Sequence, residues 1–138
     1  MYKRQDFNIT NKDGITALAM AVNDNKANAA VAMLDNNANP DFAMGAGKYN
    51  ALMLAVTKGN LVMAQTLLQY KANPNARNAG GLTPLMIAAF GNQDMITSLL
   101  LKAGANPTLK DEAGKTALMI AKENDSKKAI AMLENPVE

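Results

Sequence analysis

Residues 78–85 read Asn78-Ala79-Gly80-Gly81-Leu82-Thr83-Pro84-Leu85, and variants of this stretch recur along the chain. An earlier copy is Asn11-Lys12-Asp13-Gly14-Ile15-Thr16-Ala17-Leu18, and a later one is Asp111-Glu112-Ala113-Gly114-Lys115-Thr116-Ala117-Leu118. A looser copy, Gly47-Lys48-Tyr49-Asn50-Ala51-Leu52, lies between them. Successive steps from Thr16 to Asn50, Thr83 and Thr116 are 34, 33 and 33 residues. The period is therefore 33, with one residue inserted before Asn50. Other columns keep the same register: Ala21, Ala55, Ala88 and Ala121, then Met33, Leu67, Leu100 and Leu133. Ala-Asn-Pro recurs at 38–40, 72–74 and 105–107.

Each column has a physical reason. Thr16, Asn50, Thr83 and Thr116 are residue types whose side chains accept a hydrogen bond from a free amide of a first helical turn. Pro84 follows at a position where a missing N–H costs nothing. Nine residues after each cap stand Asn25, Gly59, Asn92 and Asp125, types that tolerate the positive φ of a tight helix-to-helix turn. A second helix of about nine residues is predicted to end at Asp35, Gln69, Lys102 and Glu134. Asn37, Lys71 and Gly104 follow as left-handed stops, and the Pro beyond them prevents the helix from resuming. The Ala column lets neighbouring first helices approach closely, and the Met/Leu column fills the space between repeats.

This pattern resembles the ankyrin repeat family, whose unit is 33 residues of β-turn and two helices with a Thr-Pro-Leu-His signature. Thr83-Pro84-Leu85-Met86 is the best match, and the resemblance covers residues 8–138. It implies an all-α solenoid of helix-turn-helix units joined by hairpin fingers. We assign one domain, 1–138, with repeats 8–40, 41–74, 75–107 and 108–138. Residues 1–7 are read as part of a preceding unit. Lys127, Lys128 and Glu134 supply a polar outer face to the last repeat, as an end repeat requires. Three departures stand out. The signature His is Ala19, Met53, Met86 or Met119, the Pro is Ala at 17, 51 and 117, and the insertion near Met44-Gly45-Ala46-Gly47 should distort one finger. A tetratricopeptide array is rejected because about ten residues without helical periodicity separate each Ala-Asn-Pro from the next cap.

Composition narrows function. The chain has neither Cys nor His, which excludes disulfides, thiolate nucleophiles and Cys/His zinc sites. No metal, cofactor or catalytic residue is expected. Asp111-Glu112 and Glu123 with Asp125 are the acidic pairs, but acid–base work needs a pocket, and a solenoid without insertions has none. Gly45-Ala46-Gly47 lacks the full glycine fingerprint of a phosphate loop. Met33, Met53, Met63, Met86, Met95, Met119 and Met132 lie mostly on columns expected to be core. No apolar run is long enough to span a membrane. Met1 to Asn8 carries Lys3 and Arg4 with no apolar stretch after them, so it does not read as a signal peptide. A cytoplasmic location is expected, with an exported or periplasmic one as the alternative if a leader was removed before Met1.

The resemblance implies a protein–protein interaction module, binding through the concave face of fingers and first helices. Carried over position by position, the contacts are Lys12, Asp13, Ile15, Asn23 and Asp24 in the first repeat. In the second they are Gly45, Ala46, Lys48, Tyr49, Thr57 and Lys58. In the third they are Ala79, Gly80, Leu82, Phe90 and Gly91, and in the fourth Glu112, Ala113, Lys115, Glu123 and Asn124. Phe90 stands where the other repeats have Asn23, Thr57 and Glu123. It reads either as an exposed anchor, extended by Tyr49 and Leu82, or as a ring folded over Met53 or Ala89. Charge is uneven: residues 42–110 hold six basic side chains against Asp94, a net +5, whereas 1–41 carry −1 and 111–138 carry −2. A partner protein with an acidic patch would suit that middle. Scattered lysines without interleaved aromatics do not suit nucleic acid. A monomer is expected. A bacterial source is also expected, and an effector acting on a host protein by binding is the alternative role.

Overall fold

The structure, a computed structural model, describes residues 8–134. The reading of residues 1–7 and the last four positions of the fourth repeat lie outside the described residues. Among the described residues, eight helices alternate short and long: α1 (Ala17–Asn23), α2 (Ala27–Asp35), α3 (Ala51–Thr57), α4 (Leu61–Gln69), α5 (Pro84–Phe90), α6 (Asp94–Lys102), α7 (Ala117–Glu123) and α8 (Lys127–Glu134). Strand structure among the described residues is limited to the isolated bridges Thr10–Thr16 and Met44–Tyr49.

Local chemistry sets each boundary. The side chains of Thr16, Asn50, Thr83 and Thr116 accept the amides of Ala19, Met53, Met86 and Met119 at 3.2, 2.9, 3.3 and 3.3 Å. The inter-helix turns pass through positive φ at Asn25, Gly59, Asn92 and Asp125, and the long helices stop at Asn37, Lys71 and Gly104, also at positive φ. Helices of seven to nine residues are too short to persist alone. They persist here by stacking. α1, α3, α5 and α7 pack side by side in one layer, and α4, α6 and α8 in a second.

The core runs the length of the stack. Leu18, Leu52 and Leu85 on the first helices meet Met63, Leu67, Ile96 and Leu100 on the second, all buried. Ala21, Ala55, Ala88 and Ala121 are buried where the first helices approach one another. Each large aliphatic side chain so buried contributes about 1.5–3 kcal/mol. Polar ties act within and between repeats as well. Asn39, Asn73 and Asn106 donate their backbone amides to the side chains of Asn8, Asp41 and Asn75 at the start of the same repeat, at 2.9, 2.7 and 2.7 Å. Asn92 accepts from the amides of Lys128 and Ala129, capping α8 from the repeat before it. The Tyr70 hydroxyl donates to Asp35.

The methionine column needs correcting. Met53, Met63 and Met86 are buried, but Met95 is 64% and Met119 48% exposed. Met95 shares with Val62, itself 66% exposed, the second position of a long helix, which faces away from the short-helix layer. Met119 continues the column of Met53 and Met86, which the next repeat covers, and among the described residues no repeat stacks beyond α8.

Candidate interaction face

Four fingers precede the four short helices, and together they form one side of the stack. Three fingers share one construction. Asn11 Oδ1 accepts the amides of Asp13 and Ile15, Asn78 Oδ1 those of Gly80 and Leu82, and Asp111 Oδ1 those of Ala113 and Lys115, all at 2.9–3.0 Å. The second finger cannot be built this way. Met44 occupies the Asx position, and the inserted residue lengthens the loop, closed by Met44 N to Tyr49 O at 2.8 Å and Tyr49 N to Met44 O at 3.2 Å. Lys48 then takes φ 56° at the column held elsewhere by Gly14, Gly81 and Gly114.

The insertion has a consequence for the neighbouring finger. The amide of Ala79 donates to Gly47 O at 2.9 Å, and that of Glu112 to Gly80 O at 3.2 Å, which ties fingers two, three and four together. No such bond joins the first two fingers among the described residues. There, the amide and hydroxyl of Thr16 meet the Met44 sulfur at 3.5 Å, a weak acceptor. A recess of about 560 Å³ opens between them. Buried Ala19 and Met44 lie deepest in it, half-buried Ile15, Tyr49 and Leu54 flank them, and exposed Met20, Asn23, Asp13, Asp24 and Gly45 surround its mouth. Ala19 leaves room because the same column holds methionine at 53, 86 and 119. The inserted finger and the small Ala19 together shape this recess, and it lies beside Asp13 and Asp24, not beside the acidic pairs of the fourth repeat.

The other expected contacts fall into two sets. Lys12, Asp13, Ile15, Lys48, Tyr49, Ala79, Leu82, Glu112 and Lys115 belong to the fingers, as do Gly45, Ala46, Gly80 and Ala113. Asn23, Asp24, Thr57, Lys58, Phe90, Gly91, Glu123 and Asn124 are the last residue and C-cap of each short helix, and all eight are exposed. Not all are uncommitted. Thr57 donates to Met53 O and Asn124 to Ile120 O, both at 2.8 Å. Lys115 pairs with Glu123 at 2.8 Å. The hydrogen bond it donates to Glu123 and then the charge of that carboxylate, with Asp111 adding a little, raise the Lys115 ammonium above the usual lysine range. Leu82 is half-buried against the core, and Tyr49 lines the recess. Phe90 is 66% exposed, so it does not fold over Met53 or Ala89 as a packed ring would.

The basic middle is split. Lys48 and Lys58 stand on a finger and at the end of α3, whereas Lys71 and Lys102 stand at the ends of α4 and α6 in the other layer. Met20, Met44 and Leu54 line the recess but were not among the positions expected from the sequence. The signal for them was an alanine in a methionine column next to an insertion.

Two stacked layers of short and long helices with capped fingers define a helical-repeat solenoid. The family model for ankyrin repeats, which spans three copies, matches residues 1–78 and again 72–136. The chain belongs to the ankyrin repeat family. No curated protein matches it. Ankyrin repeats are in general protein–protein interaction modules and typically not enzymes.

Proposed function

We propose that the chain binds a partner protein along the face formed by its fingers and short helices, and that it performs no catalysis of its own. The observation that carries this reading is Phe90. A large aromatic ring, 66% exposed, ends α5 on the same face as the recess between the first two fingers. Exposed aromatic side chains cost solvation and recur as anchors of interfaces. Lys48 and Lys58 give the centre of the face a positive character suited to an acidic patch on the partner. We take the chain to act as a monomer in the cytoplasm, masking or positioning its partner. The test is an affinity pull-down from the native organism with the full chain as bait, read by mass spectrometry and repeated with Phe90→Ala. A partner retained by the wild type and lost by a folded Phe90→Ala chain is expected. Retention by both would remove Phe90 from the interface.

A further inference from the structure

We propose that the recess between the first two fingers holds an apolar side chain of a partner peptide that carries a lysine or arginine beside it. The proposal rests on the finger-side reading above and deepens it. The recess is lined by Ile15, Met20, Met44, Tyr49 and Leu54, a surface suited to a leucine, methionine or phenylalanine side chain. Its volume, about 560 Å³, falls in the ~300–1,000 Å³ range of formed ligand sites. It is not a gap that the fold needs. The Met53 and Met86 side chains fill the same column in the next two repeats, and both are buried.

Charge selects the occupant. The lining residues include two carboxylates, Asp13 and Asp24, and no cation. Neither carboxylate belongs to an ion pair among the described residues, where the pairs are Lys115–Glu123 and Lys122–Glu134. Asp24 accepts only the long 3.4 Å contact from the Asn23 amide group. Two unpaired carboxylates at an apolar mouth favour a peptide that brings positive charge with its apolar side chain, and oppose an acidic one. This sign is opposite to that of Lys48 and Lys58, so the face is bipolar along the stack. The first repeat takes a basic–apolar segment, and the middle meets acidic groups.

The test uses the full chain, immobilised, and a phage-displayed library of random peptides as the probe. The expected pool is enriched in a large apolar residue next to lysine or arginine. Its members should bind the Ala19→Met variant about tenfold more weakly or worse, because a methionine side chain occupies the recess. Asp13→Asn combined with Asp24→Asn should weaken them similarly and reduce the salt dependence of binding. Should Ala19→Met fail to fold, the double Asn variant, whose changes are at exposed positions, still decides. A pool lacking the basic–apolar pair, or one indifferent to both variants, overturns the proposal. Peptides that lose binding with Phe90→Ala but not with Ala19→Met overturn the recess while leaving the finger-side reading in place. Peptides indifferent to all three variants count against both.

Discussion

Phe90 shows how one residue can break a column's rule. Its counterparts Asn23, Thr57 and Glu123 are polar, and it is exposed as they are. Phe90→Ala should therefore leave unfolding free energy within about 0.5 kcal/mol of the wild type, as expected for a surface change. A packed ring would lose about 3–5 kcal/mol. Urea denaturation separates the two outcomes. Lys48 breaks a different rule. It holds φ 56° where three sister fingers use glycine, a conformation that costs a side-chain-bearing residue about 1–2 kcal/mol. Lys48→Gly should stabilise the chain by about 0.5–1 kcal/mol, the remainder being offset by the greater freedom of glycine when unfolded. A lower denaturation midpoint would count against strain at this finger. Gly81 is the converse case. A Cβ there would approach the Glu112 amide nitrogen to 3.0 Å at φ 78°, so a larger residue would be strained and would have to push the backbone of finger four away.

At the scale of the helix, position in the stack decides what a truncation costs. Leu100 on α6 is fully buried, whereas Met33 on α2 is only half-buried in the first repeat. Leu100→Ala should cost about 2–5 kcal/mol, and Met33→Ala less, because fewer neighbours surround the cavity it leaves. Equal losses in chemical denaturation would argue against the stacking order. Two contacts between elements carry a pH dependence. Lys115, in the finger before α7, pairs with Glu123 at the end of that helix, and Tyr70 after α4 donates to Asp35 at the end of α2. Both groups titrate above their usual values, Lys115 chiefly through its hydrogen bond with Glu123 and Tyr70 through its hydrogen bond with Asp35. A folded-state pKa raised above the unfolded one gives stability that is present at neutral pH and lost as pH rises through the raised value. The contribution of these two contacts should thus be lost at the alkaline end, above about pH 10. Lys115→Met with Tyr70→Phe should flatten that fall, and an unchanged alkaline slope would remove these contacts as its cause.

Across the whole molecule, charge alternates along the stack while the core stays continuous. If Lys48 and Lys58 steer an acidic partner, raising salt from about 50 to about 500 mM should slow association severalfold, since the Debye length shrinks well below ~10 Å. An on-rate indifferent to salt would leave these lysines as solubilising groups. Much of the molecule was legible in its sequence. Helix starts, turns and stops follow from bonds that reach three or four residues, such as Thr83 to Met86, so each repeat states its own boundaries. The 33-residue register then places the second layer without further information. What the sequence left open depends on partners about one repeat away. Whether Met119 is covered, whether Phe90 lies flat or stands out, and whether Ala19 leaves a hollow all turn on side chains roughly 28 to 37 positions distant, the span of the inter-repeat bonds. The insertion before Asn50 was visible in the spacing. That it breaks the bond between fingers one and two, and with the small Ala19 shapes an apolar recess beside Asp13 and Asp24, was decided only by how the repeats stack.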